Sequence, residues 1–452
     1  MKINLVMIVK DEERTLERCL KAAKPLVDDI IIADTGSTDR TVEIARQMGA
    51  AVYPFTWVDD FSAARNFALE KSDGDWNLVL DADETVRWGS MGEEDARPAG
   101  AIGLSGGADV PDTDPDSRGL LSSADETECD LVSVRGMGTE VSREALERRK
   151  ELERLLAAGE QMGRGTWIGG ITRYDSYHDE EGISVSTSVL PRLLPRDVRY
   201  TGTIHEQPTG PAGDYPCYAL PLEVDHDGYL YADKGERNLP YLEQAVAEYP
   251  DDSYYHFQLS STLRNLKRLE ESLTPFREFY RLTELGEGRG TERHRPDRHK
   301  AGGHSHKADG HSADGYRAGG IVLYLYTLLD IGTPACLDEA GGIIDKEMDA
   351  LGDWSDFCFV CGLFYMKRVL SDVERYIGLL PNIEKCYLRC LKLGERPEDG
   401  GVVGTGSFKA AYNLGAWYEV SGQMELAVRY YRMAAETGYE KAAERLRVLE
   451  VR

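Results

Sequence analysis

Two short acidic stretches have the residue types and spacing for phosphate and metal chemistry. "IIIADTGSTDRTVEIA", residues 30–45, ends an apolar run at Asp34, crosses a Thr-Gly-Ser-Thr-Asp turn and becomes an amphipathic helix. "WNLVLDADE" ends a second apolar run at Asp81 and Asp83. Alternate side chains of an extended chain share a face, so Asp81 and Asp83 point the same way. Ala82 between them is small enough to let a ligand approach. Mg²⁺ is usually held by one or two carboxylates together with waters and phosphate oxygens. A cation held there neutralises a departing diphosphate. An isolated Asp-X-Asp is more often a solvated turn; the weight of this one comes from its place at a strand end.

The elements that position these carboxylates follow from periodicity. "INLVMIV" predicts a first strand, and "EERTLERCLKAA" a helix with Leu16, Leu20 and Ala23 on one face. "DIIIAD" is a second strand. The helix "TVEIARQM" is opened by Thr38 or Asp39 as N-cap and closed by Gly49. "AAVYPF", "FSAARNFALEKS" and "WNLVL" continue the alternation as strand, helix and strand, the last ending at Asp81. Short all-apolar strands separated by helices predict a parallel sheet covered on both faces. In such sheets ligands bind beyond the carboxyl ends of the strands. Asp34 and the Asp81–Asp83 pair therefore arrive at one edge, with Asp34 offered to a ligand while the Thr38–Asp39 side of the turn supports the helix.

The rest of the chain divides by composition. Residues 1–230 read as one α/β domain of mostly parallel, Rossmann-like sheet. Within it, 87–140 form an irregular insertion rich in Gly, Asp, Glu and Ser, followed by a helix over 142–161 and strand-like runs over 165–230. Residues 231–284 read as a first helical repeat, 285–320 as a flexible Gly/His-rich linker, and 321–452 as further repeats. "AAYNLGAWYEVSGQMELAVRYYRMAAETGY" has the tetratricopeptide pattern. Leu414, Gly415 and Tyr418 lie on its first helix, and Ala427, Tyr431 and Ala434 on its second.

Bulk properties exclude several classes. The formal net charge is −26, which disfavours binding to phosphate backbones, so no nucleic-acid partner is expected. No apolar run approaches the ~20 residues of a membrane span. "MKINLVMIVKDEE" lacks the cleavage pattern of a signal peptide and reads as a buried strand. Eight scattered cysteines fit free thiols in a cytoplasmic protein. Cys358, Cys361, Cys386 and Cys390 have a spacing compatible with zinc, but they occupy small-residue positions of a helical repeat and read as buried thiols. His304 and His306 read as part of a solvated linker, and Trp57 and Trp76 as core or pocket wall.

The ordered set "MIVKDEE", "ADTGSTDRT", "WVDDFSAARNFAL", "GDWNLVLDADE", "YTGTIHEQP" and "VDHDGYL" resembles the family 2 glycosyltransferases of the GT-A fold. Within them it resembles the branch that carries tetratricopeptide repeats and includes the sublancin-type peptide S-glycosyltransferases. That resemblance implies a UDP-sugar donor and Mg²⁺ or Mn²⁺ as cofactor. It gives Asp34 a contact to the uracil or ribose, and Met7, Val9 and Glu12 the base-binding strand end. Arg65 and Asn66 match an "ARN" whose side chains face the nucleotide. Asp81, Ala82 and Asp83 match the ribose and metal site, with His226 as a further metal or diphosphate contact. "IHEQ" offers Glu206 as the base for acceptor activation, with His205 as the alternative or as an acceptor contact.

The acceptor implied is a peptide or protein side chain, Cys or Ser/Thr, with a cell-envelope saccharide as the alternative. The repeats also suit a homodimer. From a different class, an inactive repeat scaffold stays open because the 87–140 insertion abuts the site. A nucleotidyltransferase would be expected to offer a basic, glycine-rich phosphate loop near the first strand, which "MIVKDEE" does not resemble.

Overall fold

The computed structural model describes residues 1–88, 131–132, 141–161, 166–179, 182–211, 213, 215–226, 234–285, 314–397 and 400–450. Most of the expected 87–140 insertion lies outside them, as do 286–313 of the expected linker with His304 and His306, and Gly228 and Tyr229 beyond His226.

The first half alternates as its periodicity demands. Strands β1 (Ile3–Val9), β2 (Asp29–Asp34), β3 (Ala51–Pro54) and β4 (Trp76–Val79) are interleaved with helices α1 (Leu16–Ala23), α2 (Thr41–Gln47) and α3 (Phe61–Glu70). β1 lies between β2 and β4, all parallel, with β3 outside β2. Successive side chains of β1 go to opposite faces. Ile3, Leu5 and Met7 join Leu16, Leu20 and Ala45 in one core, whereas Val6 joins Ala68, Leu69 and Val79 in the other. Both faces are therefore covered, as a parallel sheet requires.

After β4 the chain turns through Leu80–Asp83 into β5 (Glu84–Trp88). A small pair, β6 (Leu131–Val132) and β7 (Val141–Ser142), precedes α4 (Arg143–Gln161), whose Leu152 and Leu156 complete the first core. The long hairpin β8 (Ile168–Asp179) and β9 (Gly182–Pro195) then adds antiparallel to β4 through β9. β10 (Arg199–Thr201) and β11 (Gln207–Thr209) form a separate two-stranded ladder. β12 (Cys217–His226) inserts between β8 and β5. The order is β3-β2-β1-β4-β9-β8-β12-β5, a mixed sheet with a parallel Rossmann-like half.

Beyond residue 234 the described chain is almost wholly helical. The helices Ser253–Asn265 and Leu269–Leu285 pair, as do Ser355–Ser371 with Leu380–Leu393 and Phe408–Val420 with Met424–Ala435. Gly415 explains one close approach: a Cβ there would lie 2.8 Å from the Tyr431 ring. The expected linker ends earlier than 320, because a helix runs from Asp314 to Ile331. Gly320, which in sequence suggests a flexible segment, is a packing position, since its Cβ would lie 2.4 Å from Phe279.

The two halves touch. The short strand β13 (Gly401–Val402), from the loop between two repeat helices, adds to β9 at Ser186 and Thr187. Lys409 donates to Ser184 Oγ at 2.9 Å beside it. Among the described residues no helix is long and apolar enough to cross a membrane.

Candidate active site at the sheet edge

The carboxyl ends of β1, β2 and β4 place the acidic clusters along one edge. Val9 is the register partner of Asp34. The Val9 carbonyl accepts from Thr35 N–H and from the Thr35 hydroxyl, and the Asp34 carboxylate accepts from Ser37 N–H at 3.1 and 3.3 Å. Met7 is buried in the core below, and Glu12 accepts from the Thr15 hydroxyl. The turn is held from outside: Asp11, at φ 54, accepts from Thr38 N–H at 2.7 Å. Arg40 takes the cap position of α2, while Asp39 Oδ1 accepts from Thr41 N–H at 2.9 Å. The expected N-cap is thereby corrected: neither Thr38 nor Asp39 caps α2, because Asp39 bonds Thr41 from one residue further out and Thr38 binds Asp11.

Across the edge an ionic chain links residues distant in sequence. Asp60 caps α3 by accepting from Ala63 N–H, which sets Arg65 on the buried side of the helix. Arg65 Nη2 donates to Asp81 Oδ1 at 2.8 Å, and Arg65 Nε donates to Glu206 Oε1. Arg192 Nη2 lies 2.8 Å from both Asp81 Oδ2 and Glu84 Oε1. Burial works against ionising Asp81, but the guanidiniums of Arg192 and Arg65 outweigh it and hold its carboxyl well below the usual range.

His226 continues the chain. Register sets it opposite Glu84 on β5 and Asp175 on β8. Its Nδ1 lies 2.6 Å from Asp175 Oδ1 and its Nε2 3.3 Å from Asp83 Oδ2. Burial lowers the imidazole's affinity for a proton, yet its bonds to Asp175 and Asp83 raise its pKa to about 9. Arg173 Nε lies 2.9 Å from Asp175 Oδ1. Among the described residues no group of three or more His, Cys, Asp or Glu is placed to hold a metal ion; Asp83 and His226 make a pair.

The His205–Glu206 loop joins β10 to β11 and reaches back to α3, where Phe61 N–H donates to the Thr203 carbonyl at 2.9 Å. His205 has φ 50. Its Nε2 is buried without a hydrogen-bond partner, and burial is the main cause that takes its pKa down to about 4, so the ring is neutral. Arg65 Nη1, Arg192 Nε and Tyr200 Oη are likewise buried without partners among the described residues. Asn66 grips the Tyr200 backbone with both ends of its amide, at 2.8 Å each, and so positions that strand. Ala82 is buried between the two aspartates.

Sequence reasoning missed Glu84, Asp175 and Arg192. Arg192 carried a signal: it is the lone charge in the apolar run "VLPRLLP", and an arginine so placed must find a buried partner.

Comparison with known proteins addresses the amino-terminal part. Residues 5–89 match the family described as Glycosyl transferase family 2. The match takes in 85 residues, about a fifth of the chain. Over 85 residues it is 54% identical to a TPR repeat-containing protein of Synechococcus elongatus, covering 19% of this chain and 21% of that protein. Over 79 residues it is 34% identical to the prophage-derived glycosyltransferase SunS of Bacillus subtilis, covering 17% and 19%. The chain thus spans about a fifth of the length of these two relatives. A solved glucosyl-3-phosphoglycerate synthase of Mycobacterium tuberculosis overlaps at 29% identity and a TM-score of 0.18, covering 18% of this chain and 34% of that one. The family 2 segment includes Asp34, Arg65, Asp81 and Asp83; Glu206 and His226 lie beyond it.

Proposed function

We propose that this chain is an inverting glycosyltransferase that moves a sugar from a UDP-sugar to an acceptor, with a peptide or protein side chain as the acceptor class. One observation supports the reading most: a single guanidinium, that of Arg65, contacts both Glu206 and Asp81. That contact brings the candidate base and the Asp-X-Asp turn to one side chain, as a shared site requires.

In this reading Asp34 and the β1–β2 strand ends take the nucleoside. Arg65 and Arg192 each keep an unpartnered N–H for donor oxygens. Glu206 Oε1 is fixed by Arg65, and the carboxylate serves as the general base. The acceptor atom attacks the anomeric carbon from the face opposite the diphosphate. The carbon–oxygen bond to UDP breaks with its electron pair leaving on the diphosphate, and Glu206 takes the acceptor's proton. Neutral His205 beside it contacts the acceptor.

Asp83 and His226 fit a divalent cation as two of its ligands. With Nδ1 held by Asp175, a cation at Asp83 would displace the proton that the metal-free imidazole carries on Nε2, giving the common carboxylate–histidine–metal arrangement. When bound, Mg²⁺ or Mn²⁺ supplies neutralisation of the diphosphate charge. The acceptor class is supported by the resemblance to the sublancin-type enzymes and by the helical repeats beside the Glu206 loop.

The test is UDP release from a panel of UDP-sugars, with and without chelator, followed by product mass. Turnover abolished by chelator and by Asp83→Ala supports the reading. Absence of binding by every UDP-sugar in calorimetry would mark the chain as a repeat scaffold instead.

A further inference from the structure

The loop carrying His205 and Glu206 is held from the helical side as firmly as from the sheet. Ile204, one residue ahead of His205, is buried in a cluster with Leu239, Leu242, Leu259 and Leu263 of the helices Lys234–Glu248 and Ser253–Asn265. One residue after Glu206, the Gln207 amide donates to Tyr254 Oη at 2.8 Å and to the His205 carbonyl at 3.2 Å. Tyr254 Oη itself stands 3.5 Å from that carbonyl. These contacts bracket a residue in the left-handed region, His205 at φ 50, a conformation that persists in a non-glycine residue when its surroundings impose it.

Tyr254 is itself fixed. Its ring meets Tyr316 edge-on, with centroids 5.5 Å apart at 88°. Tyr316 Oη shares a 2.8 Å hydrogen bond with Ser253 Oγ. A third helix, Asp314–Ile331, thus backs the tyrosine that holds the loop.

We propose that Tyr254 is a positioning residue of the transferase site, holding Gln207 and the His205 carbonyl so that Glu206 faces the acceptor. This rests on the function proposed above. It makes the first helical pair part of the active site as well as a surface for an acceptor. The effect runs through the loop backbone, so it acts on the chemical step and leaves donor binding alone.

Tyr254→Phe keeps the ring on Tyr316 and removes the hydroxyl. A base displaced from its working geometry loses about tenfold to a hundredfold in rate. The expected result is a fall of that size in kcat for transfer, with KM for the UDP-sugar and affinity for UDP unchanged within about twofold. Gln207→Leu should lose a similar factor, and the double variant no more than either single one. Amide hydrogen exchange over 203–207 should quicken in Tyr254→Phe, with the melting temperature little changed. Exchange in that loop equal to wild type, or singles whose losses multiply in the double variant, would overturn the proposal. Faster loop exchange in a protein whose wild type turns over no UDP-sugar would leave the brace standing and remove the transferase reading.

Discussion

Arg65 holds Glu206 and Asp81 with different nitrogens of one guanidinium, Nε on the glutamate and Nη2 on the aspartate. The arginine is 8% exposed and Glu206 is as buried, so that pair meets largely out of water, while Asp81 is a third exposed. A planar fork bridges two carboxylates with fixed angles, whereas an ammonium presents a single point of charge.

Arg65→Ala should therefore cost up to about 3–5 kcal/mol of stability, because it strips the buried Glu206 of its partner and leaves Asp81 with Arg192 alone. Arg65→Lys should fold but lose about a hundredfold in turnover. Thermal melts alongside UDP release separate the two effects, and a Lys variant with wild-type turnover would refute the bridging role.

Glu206 and His205 are separable by their variants. Glu206→Gln keeps the shape and a hydrogen bond to Arg65 but removes the base, so transfer should fall by about 10²–10⁴ while UDP still binds. His205→Ala removes an imidazole whose pKa is about 4, too low to make it a strong proton acceptor. Its loss should appear mainly as a higher KM for the acceptor. Initial rates against acceptor concentration distinguish these, and the reverse pattern would make His205 the base.

The readable part of this site was the part built from contiguous chain. Asp34, Asp81 and Asp83 follow apolar strands directly, and the edge they share is fixed once those strands are parallel. Glu84, Asp175 and Arg192 were not readable in the same way. They meet because β9 runs antiparallel to β4 and β12 sits between β5 and β8, pairings between segments about fifty to about 140 residues apart. Asn66 shows a different limit. Its place beside Arg65 in "ARN" suggested a ligand contact, yet one helical residue turns the side chain onto the Tyr200 backbone. Gly320 reads as linker because composition cannot distinguish a flexible glycine from one that admits a neighbouring ring.

Metal removal should act through Asp83 and His226. Asp83→Asn retains a polar side chain of the same size but removes the charge, so activation by Mn²⁺ should weaken by at least about tenfold in apparent affinity. Asp175→Asn removes the acceptor that orients His226 and should weaken it by about 10- to 100-fold. Turnover titrated against Mn²⁺ after chelator treatment gives both numbers. Identical titrations for the three proteins would detach these residues from the cation.

The last expectation concerns the seam between the two halves. Asp356, at the start of the helix Ser355–Ser371, accepts from Val402 N–H of β13 at 3.2 Å and from Tyr326 Oη at 3.3 Å. Burial pushes its carboxyl up to about 7, against the pull of those donors and of Lys409. In the unfolded chain the same group titrates near 3.8. Below that value both states carry the proton. As pH rises from there to about 7, the unfolded chain gives up a proton that the folded one keeps, so stability falls. Above 7 both are ionised and the loss is complete. Asp356→Asn stays neutral throughout, so its stability relative to wild type should rise by on the order of a few kcal/mol between the two limits. Urea unfolding of both proteins near pH 5 and near pH 8 measures the change. A gap that is the same at both pH values would show that the aspartate is ionised in the folded protein throughout, with Lys409 as its counter-charge.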